Sequence, residues 1–156
     1  MLEDGDTAPD FTLPADDGTQ ITLSALRPAT VVLFFYPRDN TQGCTREASD
    51  FTALGHEFAQ AGARVYGISK DTLASHEKFR AEQGLGVPLL SDSDTTVCED
   101  YGVWREKKMY GKTFWGIERS TFLIDRAGRI ARAWRMVKVP GHVEEVLAAV
   151  RALPDG

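Results

Sequence analysis

The sequence is poor in cysteine, has no long apolar run and carries no excess of positive charge. Two cysteines among 156 residues are too few for the disulfide framework of a small secreted domain. No segment approaches the roughly 20 apolar residues that a membrane-spanning helix needs. The formal net charge of −5 gives no long-range attraction to nucleic acid or to an anionic membrane. These absences leave cysteine chemistry as the most informative hypothesis.

Targeting and metal signals are missing as well. The N-terminal segment MLEDGDTAPDF is acidic and has neither the basic nor the apolar region of a secretory signal, so we expect a cytoplasmic protein. The three histidines are scattered, and only His142 and Glu145 have a helical ligand spacing. We therefore expect no metal site, and the histidines are interpreted as surface or hydrogen-bonded polar residues.

Residues 31–47, reading VVLFFYPRDNTQGCTRE, contain the strongest local pattern. The β-branched and aromatic run 31–35 predicts a central strand covered on both faces, and Pro37 should end it. Thr41 is a suitable helix N-cap, and the apolar spacing that follows fits one helical face. Cys44 is therefore predicted to lie in the first turn of a helix.

A cysteine at that position is a candidate nucleophile, because the thiolate is the reactive form and a helix N-terminus stabilises negative charge. The helix typically contributes about 0.3–1 kcal/mol and at most about 2 kcal/mol. A tenfold change in the thiolate fraction needs about 1.4 kcal/mol. The helix alone therefore cannot ionise Cys44 fully at neutral pH, and a second cation must come from elsewhere in the chain.

Alternating and periodic runs predict the other elements. Two short runs about Gly18 predict an N-terminal β-hairpin, and a strand, helix, strand order that includes a helix stop at Gly62 implies a right-handed parallel crossover. A hairpin about the turn 125–128 and a terminal helix predict a late ββα unit. The remaining segments are a helix capped by Asp71 over residues 71–83, a strand at 87–90 and a short helix at 97–101.

Together these elements predict an α/β thioredoxin-like fold with an N-terminal β-hairpin extension and a helical insertion. The length and the 42% hydrophobic content indicate a single domain over residues 1–156. The basic run 105–112, REKKMYGK, is interpreted as a solvated surface loop. The tryptophans are expected mainly in the core, although Trp115 could border a site near Arg119.

Several segments resemble one family. Pro37, Thr41 and Cys44 reproduce the P-x-x-x-T-x-x-C signature of peroxiredoxins. The segments APDFTLP, PLLSD, RSTFLID and VCEDYGVWREKKMYGKTFWGIER resemble the flanking blocks of the bacterioferritin comigratory protein (PrxQ) branch, and the match spans almost the whole chain. The resemblance implies a peroxiredoxin-type fold and a thiol peroxidase that uses no organic cofactor. It would reduce hydrogen peroxide and organic hydroperoxides through a sulfenic acid.

The resemblance also assigns catalytic roles. Cys44 corresponds to the peroxidatic cysteine, Thr41 to its hydroxyl partner and Pro37 to the proline that shields the sulfur. Arg119 corresponds to the family arginine, and its permanent charge supplies the second cation that Cys44 requires.

Substrate binding is expected to use backbone and side-chain donors. The amide of Gly43, with Thr41 and Arg119, would face the departing peroxide oxygen, on which negative charge develops. Glu47 lies one turn after Cys44 and resembles the acidic residue that often follows the family cysteine. We expect Glu47 to orient Arg119 or another cation.

The resolving cysteine is the main departure from the family pattern. Branch members carry it five positions after the first cysteine, where this chain has Ser49, or on the following helix near Arg80. Cys98 has two possible interpretations. It is either a buried inert thiol or a resolving cysteine, which would require movement of the Cys44 helix or a second chain. We favour the buried thiol, and therefore a single-cysteine cycle completed by an external thiol.

The resemblance implies a peroxide substrate and an external thiol reductant, either thioredoxin, glutaredoxin or a small thiol, and it favours a monomer. Two other functions stay open. A disulfide oxidoreductase is disfavoured because C-x-x-C is absent. A redox sensor would use oxidation of Cys44 as a signal without sustained turnover.

Overall fold

The protein is built around one five-stranded sheet, seen in a computed structural model that describes residues 2–154. The strands are β1 (Thr12–Pro14), β2 (Gln20–Thr22), β3 (Thr30–Phe35), β4 (Ala63–Ser69), β5 (Leu89–Ser91), β6 (Trp104–Met109), β7 (Lys112–Ile117), β8 (Ser120–Ile124) and β9 (Ile130–Trp134). The helices are α1 (Gln42–Ala53), α2 (Gly55–Gln60), α3 (Leu73–Gln83), α4 (Val97–Asp100) and α5 (His142–Arg151), with a 3-10 turn at Leu23–Leu26. The order in the main sheet is β5-β4-β3-β8-β9. Strands β3 to β5 are parallel, and β8 is antiparallel to both of its neighbours.

Strand β3 lies at the centre of the sheet, as its sequence predicts. All six of its residues are buried, because the sheet is covered on both faces. Val32 and Phe34 belong to the core on one face, and Leu33 and Phe35 belong to the core on the other. The neighbouring position on β4 is Gly67, where a Cβ would lie 2.7 Å from the Phe34 ring. The aromatic strand therefore packs closely against its parallel partner.

Each face of the sheet carries its own apolar core. Helices α1, α3 and α5 supply one core through residues such as Phe51, Phe79 and Val146. The N-terminal hairpin of β1 and β2, with the segment around α4, supplies the other through Leu13 and Tyr101. This arrangement confirms the predicted α/β thioredoxin-like fold with an N-terminal hairpin extension.

The helix that follows Cys44 is divided, which the sequence did not predict. Helix α1 ends at Ala53, Leu54 has φ −99° and ψ 12°, and α2 continues from Gly55. Glycine has low helix propensity, which weakens the helix at this point. Gly62 ends the pair with a φ of +79°, as predicted.

Helix α3 begins after a different cap from the one predicted. Thr72, not Asp71, is the N-cap, and its side chain accepts a hydrogen bond from the Ser75 amide at 3.2 Å. The Asp71 carboxylate accepts instead from the Asp39 amide at 2.8 Å and the Ser69 hydroxyl at 2.7 Å. These competing donors draw the acidic side chain away from the helix terminus.

The basic run 105–112 is not a loop, so that prediction is wrong. It lies in an antiparallel hairpin in which β6 and β7 pair along their full length. Tyr110 and Gly111 both have positive φ, +53° and +75°, as a two-residue type I′ turn requires. The insertion between β5 and β8 is therefore a four-residue helix followed by a hairpin, rather than helical alone.

The C-terminal part follows the prediction closely. Strands β8 and β9 form the expected hairpin, and α5 begins at His142, one residue before the predicted apolar face. Among residues 2–154, no helix combines the length and the apolar character needed to cross a membrane.

Candidate active site

Cys44 lies in the first turn of α1, as the sequence predicts. The Thr45 amide makes the first helical hydrogen bond, to the Thr41 carbonyl at 2.8 Å. The amides of Gly43 and Cys44 precede that bond, and neither has an acceptor within the described part of the chain. Cys44 is 1% exposed. Two free N–H donors and the positive end of the helix dipole therefore lie in the same helical turn as a nearly enclosed thiol.

Arg119 supplies the cation that the helix requires. It directly precedes β8, and its Nη2 lies 3.1 Å from the Cys44 Sγ. Its Nη1 donates to Glu47 Oε1 at 2.7 Å, so one guanidinium joins the thiol and the carboxylate. Burial alone would lower the pKa of Arg119, but the negative charges of Glu47 and Cys44 raise it, and the side chain stays cationic.

Glu47 is completely buried one helical turn after Cys44. Burial raises the pKa of its carboxyl to about 7, and the charge of Arg119 limits the rise. Glu47 Oε2 has no hydrogen-bond partner among residues 2–154. The predicted contact of Glu47 with Arg119 is present, and the carboxyl changes protonation near neutral pH.

Gly43 gives the arginine room to reach the sulfur. A Cβ at this position would lie 3.2 Å from Arg119 Nη2, closer than an ordinary van der Waals contact. A larger residue would therefore displace the guanidinium from Cys44. From the sequence we expected only the backbone amide of Gly43 to contribute, and a glycine in the first turn of a helix was the available signal for close approach.

Thr41 and Pro37 flank the mouth of the site, and both are exposed. The Thr41 hydroxyl donates to the Arg38 carbonyl at 3.0 Å and makes no side-chain cap bond. Thr41, expected as the hydroxyl partner of Cys44, therefore bonds to the loop backbone in this structure. Rotation about one side-chain bond would redirect the hydroxyl towards the sulfur.

A groove of about 660 Å³ opens beside Pro37 and Thr41. Trp115, 58% exposed, borders it as expected, and Lys107 of β6 enters it with its Nζ donating to the Ile117 carbonyl. Burial and the charge of Arg119 lower the pKa of Lys107. Lys107 was not predicted as a site residue because the basic run resembles a solvated loop, although Gly111 between two polar runs was a possible hairpin signal.

Cys98 lies in the opposite core. It is 0% exposed and packs on the other face of the sheet from Cys44. Its amide donates to Asp92 Oδ2 at 2.8 Å. Burial, together with the charge of Asp92, raises the pKa of the Cys98 thiol far above its ordinary value. Both cysteines are free, and these contacts favour the interpretation of Cys98 as an inert thiol.

The two family positions for a resolver carry other side chains. Ser49 lies within α1. Arg80 of α3 donates to Asp16 Oδ1 at 3.0 Å and to the carbonyls of Leu85 and Val87 at 3.1 and 2.9 Å. Arg80 therefore fastens α3 to the turn of the N-terminal hairpin.

One cluster has a ligand-like arrangement. Asp39, Asp71 and His76 each place an oxygen or nitrogen within 4.8 Å of the other two. Hydrogen bonds already occupy these atoms, since His76 Nδ1 lies 2.7 Å from Asp39 Oδ2 and Asp71 Oδ2 accepts from the Asp39 amide. His76 is thus a hydrogen-bonded buried histidine, as the sequence analysis expected.

A cysteine sulfur in contact with an arginine at the N-terminus of a helix suits attack on a peroxide oxygen, and on a thioredoxin-like sheet this arrangement is characteristic of the peroxiredoxin class of thiol peroxidases. The chain matches the model of the AhpC/TSA family over residues 5–133. It belongs to that family.

Individual relatives define the branch. Peroxiredoxin Bcp of Xanthomonas campestris pv. campestris is 50% identical over 143 residues, covering 92% of this chain and 89% of the relative. A solved structure of Xylella fastidiosa PrxQ, a cysteine variant, has a TM-score of 0.92 at 45% identity and covers 97% of each chain. A structure of the Xanthomonas campestris bacterioferritin comigratory protein, which concerns its alkyl peroxide reduction activity, has a TM-score of 0.86 at 48% identity and covers 91% of this chain and 90% of that one. The resemblance to the Bcp/PrxQ branch is confirmed, and the protein is an enzyme of the peroxiredoxin type.

Proposed function

We propose that this thiol-dependent peroxidase reduces hydrogen peroxide and organic hydroperoxides through a sulfenic acid at Cys44. The observation that carries the proposal is the 3.1 Å contact between the Cys44 Sγ and Arg119 Nη2, because a fixed positive charge favours the reactive thiolate. Organic hydroperoxides are included because the Xanthomonas relative is described with alkyl peroxide reduction. The exposed side chains of Phe114 and Trp115 also give the adjacent groove apolar surface.

The first step is attack by the Cys44 thiolate on one peroxide oxygen. The O–O bond breaks, the second oxygen leaves as alkoxide or hydroxide and takes a proton, and Cys44 becomes a sulfenic acid. The Gly43 amide and Arg119 stabilise the departing charge, and a single such donor is typically worth about 10²–10³-fold in rate. Thr41, once turned from Arg38, bridges the sulfur and the peroxide.

Two side chains support this step without reacting. Pro37 has no N–H and shields the sulfur from water, while Glu47 orients the guanidinium of Arg119 through their 2.7 Å contact.

The enzyme then follows a single-cysteine cycle. One external thiol attacks the sulfenic acid, releases water and forms a mixed disulfide with Cys44, and a second thiol restores Cys44 and leaves as a disulfide. The position of Cys98 on the opposite face of the sheet supports this cycle, as does the ion pair that fastens Arg80 to Asp16. Without a resolver, excess peroxide converts Cys44 to the sulfinic acid.

Intact-mass analysis after one equivalent of peroxide tests the cycle. The parent chain and Cys98→Ser should both gain one oxygen atom, and both should form an adduct with a sulfenic-acid reagent. Loss of two hydrogen atoms by the parent but not by Cys98→Ser would instead show a disulfide between Cys44 and Cys98, and it would overturn the single-cysteine cycle.

The reductant is a thiol from outside the chain, either thioredoxin, glutaredoxin or a small thiol. Cys44, Arg119 and Glu47 all come from one chain, which supports a monomer and a single domain over residues 1–156. Two free cysteines suit a reducing compartment, and we place the enzyme in the cytoplasm. The net charge of −5 gives no reason to propose a nucleic-acid or membrane partner.

The rival functions predict different turnover. A disulfide oxidoreductase would reduce insulin rapidly with negligible peroxide consumption. A redox sensor would consume one equivalent of peroxide and then stop, whichever thiol is added. Sustained peroxide reduction with an added thiol separates the proposed enzyme from both.

A further inference from the structure

Behind the active-site loop, residues 37–41, lies a completely buried histidine. His76 of α3 is 0% exposed, and its ring contacts the loop through Asp39. Burial of an ionisable ring is unfavourable unless polar partners satisfy it. The ring also bonds to the Leu90 carbonyl of β5 and lies 3.4 Å from the Tyr36 hydroxyl.

Asp39 is the residue at which the loop is held. Its Oδ1 accepts from the Tyr36 hydroxyl at 2.7 Å. Its Oδ2 accepts from His76 at 2.7 Å and from the Ser75 hydroxyl at 2.8 Å. Its amide donates to Asp71 at 2.8 Å. The end of β3, helix α3 and the segment after β4 therefore all bind one loop residue.

His76 has an acceptor at each ring nitrogen. Nδ1 faces the Asp39 carboxylate, and Nε2 lies 2.9 Å from the Leu90 carbonyl of β5. A carbonyl can only accept, so Nε2 carries a hydrogen, and the carboxylate favours a second hydrogen on Nδ1. Burial alone would lower the pKa of His76, but the hydrogen bond and charge of Asp39 raise it above its ordinary value.

The charges of the groups around the His76 ring favour its protonated form. Asp39 on the loop and Asp71 after β4 both favour the cation. Tyr36 at the end of β3 stays neutral, because burial and the charge of Asp39 raise its pKa well above the ordinary value. From β5 the ring receives only the Leu90 carbonyl. Within residues 2–154, Asp39 is the one carboxylate bonded to His76.

The loop that Asp39 anchors carries two site residues, Pro37 and Thr41. Asn40, between Asp39 and Thr41, has a φ of +60°, a left-handed backbone that non-glycine residues adopt at some cost. The Thr41 carbonyl accepts the first hydrogen bond of α1. Movement of Asp39 would therefore displace Thr41 and the helical turn that carries Cys44.

We propose that His76 is a positioning residue for peroxide reduction, which holds the loop through its charged contact with Asp39 and so fixes Thr41 and the first turn of α1. The inference rests on the proposed role of Cys44. A neutral imidazole keeps one N–H, so deprotonation of His76 removes a donor either from Asp39 or from the Leu90 carbonyl. The stabilisation from His76 is complete below its unfolded pKa of about 6.5 and is lost as pH rises through its higher folded pKa.

The test compares two reactions of Cys44 across pH. Alkylation by iodoacetamide needs only the thiolate, so its rate should rise with pH and level off. Reduction of hydrogen peroxide also needs the fixed loop, so its second-order rate constant should rise and then fall. His76→Gln keeps a donor for Asp39 but no charge. It should lower the peroxide rate at least about tenfold, as expected for displacement of a reacting group, and it should abolish the falling limb.

His142→Gln is the matched control. His142 is also buried, but burial lowers its pKa to about 4 and its Nε2 bonds to Thr121 instead of the loop. This variant should keep the wild-type pH profile.

Parallel pH profiles for alkylation and peroxide reduction in the wild type would overturn the proposal, as would an unchanged falling limb in His76→Gln. If that variant does not fold, Ser75→Ala provides the test. It removes another hydrogen-bond donor from the Asp39 carboxylate, which strengthens the attraction of that carboxylate for the charged His76. The falling limb of the peroxide profile should therefore move to higher pH. An unmoved limb in Ser75→Ala also counts against the proposal. A wrong assignment of Cys44 would be recognised by a different result, because Cys44→Ser would then still reduce peroxide.

Discussion

The two cysteines are equally buried, but they lie beside side chains of opposite charge. Cys44 is 1% exposed and Cys98 is 0% exposed. The Cys44 sulfur lies 3.1 Å from the guanidinium of Arg119, whereas burial and the negative charge of Asp92 raise the pKa of the Cys98 thiol. At similar exposure, the charge of the nearest ionic side chain therefore differs between the two thiols, which supports the proposed roles of Cys44 as nucleophile and Cys98 as inert thiol.

The helix termini at the two cysteines explain the contrast further. Asp92 accepts from the amides of Val97 and Cys98 at 3.1 and 2.8 Å, so a carboxylate already occupies the N-terminal donors of α4. At α1 no side chain of residues 2–154 caps the terminus, and the corresponding amides of Gly43 and Cys44 have no acceptor there. The N-terminal backbone donors are thus satisfied by an internal carboxylate at α4, whereas at α1 they lie in the turn that carries Cys44.

Replacing each cysteine in turn tests the comparison most directly. Cys44→Ser should lower the second-order rate constant for hydrogen peroxide by about 10³-fold or more, since it removes the nucleophile. Cys98→Ser is the matched change in the opposite core. Its rate constant should stay within about twofold of the wild-type value, because the Cys98 thiol contacts none of the proposed reacting groups. Stopped-flow measurement with excess peroxide gives both values. Equal losses in the two variants would abolish the distinction between the sites.

Removal of the positive neighbour should have the next largest effect. Arg119→Ala is expected to lower the peroxide rate by about 10²-fold, the usual loss for a donor that stabilises developing charge. It should also slow the alkylation of Cys44 at neutral pH, because a fixed positive charge beside the sulfur is lost. Arg132→Ala, on an exposed arginine whose side chain is 48% accessible, is the control. An Arg119→Ala enzyme with the wild-type rate would show that neighbouring charge does not explain the reactivity of Cys44.

Glu47 gives a test of the charges around Cys44 that needs no peroxide, namely the pH dependence of the free energy of unfolding. The pKa of its carboxyl rises from 4.5 unfolded to about 7 folded because of burial. The folded protein therefore binds more protons between these values, and this residue makes the free energy of unfolding fall by about 3 kcal/mol as pH rises from 4.5 to 7. Glu47→Gln should remove that fall, as chemical denaturation at several pH values can show. A variant whose stability changes with pH as the wild type does would contradict the burial argument.

Much of the fold and of the site could be predicted because the signals are local. The run 31–35, Pro37 and the spacing after Cys44 predict a buried strand, its end and a helical first turn, and all three are present. Arg119 is distant in the chain from Cys44 and was found through the resemblance to a family, since no periodicity links the two residues.

Features that depend on tertiary contacts escaped prediction. The acceptor role of Asp71 depends on the Asp39 amide, which only the folded chain brings near, so a cap was assigned to the wrong residue. The position of Cys98 beside Asp92 arises from a hydrogen bond across a short turn. Lys107 was missed because charge alone does not distinguish a solvated loop from a hairpin strand.

Lys107 offers the finest test of the contrast between the two cysteines. Its pKa is lowered by burial and by the charge of Arg119 and is raised by Glu118 and Cys44, so its field reaches the active thiol without a direct bond. Lys107→Gln should reduce the peroxide rate only about threefold, because a charge at such a range acts through a high effective dielectric. The adjacent Lys108→Gln, on an exposed position of the same strand, should leave the rate unchanged. Added salt should shrink the Lys107 effect, since a half-buried charge is partly screened, whereas the Arg119 effect should persist. If Lys107→Gln lowered the peroxide rate as much as Arg119→Ala, both cations would act at the reacting atoms. If Lys107→Gln and Lys108→Gln lowered it equally, the effect of Lys107 would come from the net charge of the protein alone.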